Sequence, residues 1–159
     1  MVAIRFMLDI DEARVCAHMM AQSEPWKTLG RDYEASLRSI SDPAKEVYVA
    51  LLDGKVAGFV VINMHGAFVG YIQSVCVAPG QRGNGIGSAL LEYAEQRILR
   101  EAPNVFVCVS SFNSGARRLY ERLGYAVVGE LRDYIVKDHS EILLRKTIGP
   151  LQGFTRADS

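Results

Sequence analysis

Cysteine is scarce in this sequence of 159 residues, and what there is does not group. Cys16, Cys76 and Cys108 are odd in number, widely spaced and never in a CxxC pair, and His18, His65 and His139 do not cluster with them. A disulfide framework and a zinc site therefore both lack their residues, and a reducing compartment fits best. A dominant charge is missing too, because 18 basic and 18 acidic residues cancel. That balance gives no electrostatic case for nucleic acid or an anionic membrane as the main partner. No apolar run approaches the roughly 18 residues of a membrane span. The stretch Met1-Val2-Ala3-Ile4-Arg5-Phe6 lacks the apolar region of a signal peptide, so the expected location is cytoplasmic. Internal repeats, low-complexity tracts and linkers are also absent. What remains is an ordinary globular composition, 49% hydrophobic and 23% charged, of a length that suits one domain. That domain is expected over residues 1–148, with a patternless tail over 149–159.

Periodicity sets out the elements. Ala3 to Leu8 reads as a strand, and Asp9 or Asp11 caps a helix carrying Ala13, Cys16, Ala17 and Met20 at helical spacing. Ser23-Glu24-Pro25-Trp26 breaks it, and a second helix runs from about Arg31 to Ile40. Glu46 to Leu52, the turn pair Asp53-Gly54, and Lys55 to Met64 make a hairpin. Ala67 to Ala78 reads as another strand, stopped by Pro79-Gly80. After a glycine-rich run the period changes: Ile86, Leu90, Tyr93, Ala94, Arg97 and Ile98 define a helix to about Arg100. Val105 to Val109 is an almost unbroken apolar strand, as expected when both faces are covered. A helix from Ser114 to Leu123, closed by Gly124, leads to two last strands, Tyr125 to Glu130 and Glu141 to Arg145. This order specifies a mixed α/β layer structure.

The run Pro79-Gly80-Gln81-Arg82-Gly83-Asn84-Gly85-Ile86-Gly87-Ser88 joins a strand to a helix. A helix N-terminus offers unpaired N–H groups and partial positive charge, and glycines let the backbone approach an anion closely. The context is a diphosphate cradle, to which Arg82 adds a guanidinium. Three phosphate-loop readings compete. A P-loop needs Lys-Ser/Thr where Ile86-Gly87 stands, so nucleotide hydrolysis lacks its lysine and its metal-binding hydroxyl. A dinucleotide fingerprint needs GxGxxG early in a βαβ unit, whereas the spacing here is GxGxG after antiparallel-looking strands. The third is R-x-x-G-x-G, filled by Arg82, Gly85 and Gly87.

A second stretch, Asn113-Ser114-Gly115-Ala116-Arg117-Arg118-Leu119-Tyr120-Glu121-Arg122-Leu123-Gly124-Tyr125, fills every fixed position of N-x-x-A-x-x-L-Y-x-x-x-G-[FY]. Together the two stretches resemble the paired signatures of the GNAT superfamily of N-acetyltransferases. The likeness runs from roughly Val2 to Lys146 and is specific to superfamily, not to substrate. It implies an α/β fold with a mixed, mostly antiparallel sheet flanked by helices. It also implies acetyl-CoA as cosubstrate, no metal, a primary amine on a small molecule or protein as acceptor, and a possible homodimer. The diphosphate and pantetheine contacts would come from Val75, Cys76, Val77, Arg82, Gly83, Asn84, Gly85, Ile86, Gly87, Ser88, Asn113, Ala116 and Tyr120. Tyr120 is the implied general acid toward the departing CoA sulfur. With a phenol pKa of about 10 against about 8.5 for a thiol, its hydrogen bond carries much of that role.

The amine side is less legible. An attacking lysine amine, with a pKa of about 10.4, is neutral only about once in a thousand at pH 7. Many GNAT enzymes place a glutamate on a central strand to take the proton, but the matching positions here hold Gln73 and Cys108. Glu24, Glu130 and Asp133 are the carboxylates near plausible substrate loops; otherwise a water chain or an amine of low pKa is required. Glu24, Trp26, Tyr33, Tyr71 and Gln73 are the candidate acceptor contacts, with Trp26 equally readable as a core anchor. Asp138-His139-Ser140 has the residue types of a hydrolase triad, but consecutive loop residues do not assemble one. No activated Cys–His pair is visible, so direct transfer is expected over an acetyl-enzyme. A non-catalytic acyl-CoA-binding module on the same fold is the alternative.

Overall fold

A computed structural model describes residues 2–156; the last three residues of the tail, 157–159, lie outside the described residues. The elements in chain order are β1 (Ala3–Phe6), α1 (Ile10–Ala21), α2 (Tyr33–Ile40), β2 (Glu46–Leu52), β3 (Lys55–Asn63) and β4 (Tyr71–Val77). A 3-10 turn at Pro79–Gln81 follows, then α3 (Ile86–Leu99), β5 (Asn104–Ser110), α4 (Ser114–Arg122), β6 (Ala126–Leu131) and β7 (Glu141–Thr147). Strand hydrogen bonding runs β1-β2-β3-β4-β5-β7-β6 in a seven-stranded, mostly antiparallel sheet, the fold class expected from the sequence. Two compact units share β4: the first holds the chain up to Asn63 with Gln73–Gln96, the second Met64–Ile72 with the chain from Arg97 onward.

In the first unit, α1 starts at Asp9, whose carboxylate accepts the Glu12 N–H at 3.0 Å. Glu12 reaches back to the Leu8 N–H at 2.8 Å and takes the Arg5 guanidinium on both oxygens, so one carboxylate ties β1 to α1. The arginine's hydrogen bond, more than any other cause, holds the Glu12 carboxyl below its usual range. Asp32 caps α2 in the same way, through the Ala35 N–H. Ala13, Cys16, Ala17, Met20 and Ile40 form a core with Val47, Val49, Phe59 and Val61 of the hairpin. Burying a side chain of Leu or Ile size contributes about 1.5–3 kcal/mol, and this cluster buries several apolar side chains. The hairpin turn is as expected, with Asp53 and Gly54 both at positive φ (52° and 77°). On β3, Gly58 leaves room where a Cβ would stand 2.8 Å from the Cys76 carbonyl oxygen and 3.1 Å from Leu90.

In the second unit, β4 pairs in parallel with β5 through Tyr71 and Ile72, and β5 pairs antiparallel with β7, which pairs with β6. Two expectations are corrected here. The strand expected from Ala67 begins only at Tyr71, because Gly66 and Gly70 sit at φ 86° and 92° and turn the chain. A Cβ on Gly70 would meet the Asn104 carbonyl oxygen at 2.5 Å, so that turn is pressed against the start of β5. Nor is β5 covered alike on both faces. Val105, Val107 and Val109 are buried with Leu144 and Ile142 across the ladder, whereas Phe106 and Cys108 on the other face are only half-buried.

Candidate functional site

The glycine-rich run follows β4 in the first unit. Gly83 and Gly85 adopt left-handed φ of 84° and 76°, and a Cβ on either would meet nothing within 4 Å. Glycine is required there by backbone conformation, not by crowding. Arg82, Gly83, Asn84 and Gly85 are all exposed, while Ile86 is buried and anchors the start of α3. The first α3 amide to bond back along the chain is that of Ala89, to the Gly85 carbonyl at 3.0 Å. Ile86, Gly87 and Ser88 therefore stand in the first turn, where amides lack helical partners, on open loop backbone. Unpaired amides at a helix N-terminus are the general setting in which anions bind.

Arg82 is held in place. Its Nη2 donates to Ser23 Oγ at 3.2 Å and its Nε to the Val77 carbonyl at 3.4 Å. Ser23 is buried at 2% exposure, donates to the Met19 carbonyl at 2.7 Å and accepts from Cys76 Sγ at 3.7 Å. This serine is not legible as a partner of Arg82 in the sequence, where it reads only as part of a helix-breaking stretch. Of the β4 residues expected to contact pantetheine, Val75 and Val77 are half-buried on one face while Cys76 is buried on the other. Burial pushes the Cys76 thiol up to about 11 and the Cys16 thiol up to about 12, so neither is a ready nucleophile near neutral pH.

The proposed acceptor residues of this unit are engaged structurally. Both Glu24 oxygens accept from Thr28, one from its N–H and one from its hydroxyl, each at 2.9 Å. Those bonds hold the Glu24 carboxyl below its usual range, the wrong direction for a proton acceptor. Trp26 lies in the core cluster with Met19 and Met20, its anchor role. Tyr33 is half-buried with its ring against His18. Gln73 donates to Ser39 Oγ of α2 at 2.8 Å.

In the second unit, Asn113 caps α4 by accepting the Ala116 N–H at 3.2 Å, which leaves its amide nitrogen outside the cap. Tyr120 is the one buried residue of α4, its ring edge-on to Tyr125 at 5.3 Å. Leu119 and Leu123 are half-buried. Tyr71 donates a hydrogen bond to the Cys108 sulfur; burial and that bond raise the phenol's pKa, and burial raises the thiol's. Register then brings in two residues the sequence did not flag: Ser110 Oγ donates to Glu141 Oε2 at 2.7 Å, and both are buried. Period-two spacing from Glu141 to Leu143 and Arg145 hinted at a shared face, but the partnership with Ser110 depends on pairing across 31 residues. Among the described residues no group of three or more metal-ligating side chains gathers.

The family model of the Acetyltransferase (GNAT) family matches residues 9–125. The chain belongs to this family. It is 31% identical over 111 residues to an N-alpha-acetyltransferase of Sulfurisphaera tokodaii, spanning 61% of this chain and 66% of that relative. The chain thus spans just under two thirds of that relative's length. The fold is similar to a GNAT-family crystal structure from Desulfovibrio desulfuricans, with TM-score 0.76 and 20% identity, covering 94% of this chain and 100% of that one. It is also similar to a Salmonella typhimurium protein solved with acetyl-CoA as its cofactor, with TM-score 0.73 and 18% identity, covering 98% of this chain and 99% of that one.

Proposed function

We propose that the protein is an acetyl-CoA-dependent N-acetyltransferase that moves the acetyl group directly to a primary amine. The observation that carries this reading is the open left-handed loop at Gly83 and Gly85, running into the first turn of α3 with Arg82 tethered beside it. Exposed amides and a fixed guanidinium suit the diphosphate of CoA. Within this reading, Arg82, Gly83, Asn84, Gly85, Ile86, Gly87 and Ser88 hold the diphosphate. The main chain of Val75, Cys76 and Val77, with Asn113 and Ala116, takes the pantetheine arm. Tyr120 donates to the sulfur as it departs. Direct transfer is supported by the raised thiol pKa values, which leave Cys16, Cys76 and Cys108 protonated at neutral pH.

The test is thiol release from acetyl-CoA across a panel of peptide N-termini, lysine peptides, polyamines and small amines. Turnover with at least one amine is expected, and Tyr120→Phe is expected to lower kcat about 10²–10⁴-fold, the usual range for general acid–base groups. Acetyl-CoA binding without turnover on any amine would favour the non-catalytic module. We place the protein in a reducing compartment, on the strength of three free cysteines.

A further inference from the structure

The acetyltransferase reading lacks a proton acceptor, and the second unit holds a buried carboxylate. β5 and β7 pair so that Cys108 faces Leu143 and Ser110 faces Glu141. Tyr71 of β4 pairs with Phe106. Period-two geometry therefore puts Tyr71, Phe106, Cys108, Ser110 and Glu141 on one face, opposite the buried Val105, Val107 and Val109. Glu141 is 5% exposed and is the one buried carboxylate among the described residues. Its known partner, Ser110, is a neutral donor, not a cation. The other candidates are less suited: Glu24 is occupied by Thr28, Glu130 is exposed on β6, and Asp133 Oδ1 accepts the Asp138 N–H at 2.7 Å.

We propose that Glu141 is the base that takes a proton from the incoming amine, with Ser110 as the positioning residue that aims its carboxylate. This rests on the acetyltransferase reading above. The amine arrives as an ammonium ion, and the Glu141 carboxylate removes one proton to free the nitrogen lone pair. That pair forms the C–N bond at the thioester carbonyl carbon; the C–S bond breaks and the sulfur keeps its electrons. The second nitrogen proton balances the thiolate through Tyr120, and Glu141 returns its proton to water. Burial raises the Glu141 carboxyl above its usual range, while the Ser110 bond and the charge of His139 pull it back. Tyr71 and Cys108 also face it and feel its charge. A carboxylate moved toward the working pH is the more effective base.

The experiment is kcat/KM against pH for wild type, Glu141→Gln and Ser110→Ala, with one amine of high and one of low pKa. Wild type should lose activity as pH falls through the carboxyl's pKa. Glu141→Gln should lose that acidic limb and about 10²–10⁴-fold in kcat on the high-pKa amine. Its loss on the low-pKa amine should be much smaller, and it should still bind acetyl-CoA in a thermal-shift assay. Ser110→Ala removes a bond that lowers the pKa, so its acidic limb should move to higher pH. Glu141→Gln also removes a buried charge that costs stability once pH rises above the unfolded carboxyl pKa. It should therefore melt no lower than wild type at neutral pH, and the difference should close in acid. Activity in wild type that Glu141→Gln shares with the same pH profile overturns this inference alone. An unmoved limb in Ser110→Ala does the same if Glu141→Gln does not fold. Absence of thiol release by wild type with every amine overturns the acetyltransferase reading and this inference with it.

Discussion

Ser23 and Arg82 stand 59 positions apart in sequence and 3.2 Å apart in the fold, joined by one hydrogen bond. Because Ser23 is itself fixed to the Met19 carbonyl, the guanidinium is oriented before any ligand arrives. Preorganisation of this kind lowers the entropy cost of binding. Ser23→Ala should therefore weaken acetyl-CoA by about 1 kcal/mol, roughly fivefold in Kd, with kcat unchanged. Arg82→Ala, which deletes the charge, should weaken it by about 1.5–3 kcal/mol. Isothermal titration of acetyl-CoA measures both, and an unaltered Kd in Ser23→Ala would show the tether to be idle. The two residues differ in legibility. Arg82 announces itself by its spacing to Gly85 and Gly87, whereas Ser23 acts only through a contact that no local pattern encodes. Glu141 is hidden for the same reason, since its role depends on which β5 residue the ladder sets opposite it.

Elements are more legible than partnerships, because helix caps and hairpin turns are local chemistry. Asp9, the Asp53-Gly54 pair and Asn113 each do at close range what their side chains and φ preferences predict. The start of β4 is hidden in the sequence because Ala67-Phe68-Val69 is apolar enough for a strand, while Gly66 and Gly70 at positive φ decide the path. The half-open face of β5 is hidden because an apolar run does not reveal that one side is less closely packed than the other. For the loop before α3, conformation makes a sharp prediction. Gly85 needs φ of 76° but has open space around it. Gly85→Ala should destabilise the loop by about 1 kcal/mol, and Gly85→Asn by less, since Asn tolerates the left-handed region. Thermal melts of the two variants should rank in that order, and equal melting would show that the loop readily adopts another conformation.

For the molecule as a whole, a ligand that binds the folded chain alone must raise its melting temperature. Acetyl-CoA or CoA at a hundred times Kd should stabilise by about 2.7 kcal/mol, roughly 5–11 °C for a chain of this size, whereas ATP and NAD should do far less. No shift with either CoA species would remove both the enzyme and the binding-module readings. The acceptor was the least legible part at every scale. Zero net charge favours no class of amine, and Trp26, singled out in the sequence, belongs to the core.

The glycine-rich loop before α3 also carries a chemical liability. Asn84 is exposed and is followed by Gly85, which has no side chain to shield its backbone nitrogen. That nitrogen can attack the Asn84 amide carbon, expel ammonia and form a cyclic imide, which water opens to an acid. Each such event replaces a neutral amide with a negative charge in the loop proposed to hold the diphosphate, and like charges repel. Slow ageing of the purified protein would therefore erode cosubstrate affinity while leaving the core intact, and activity would fade well before the fold does.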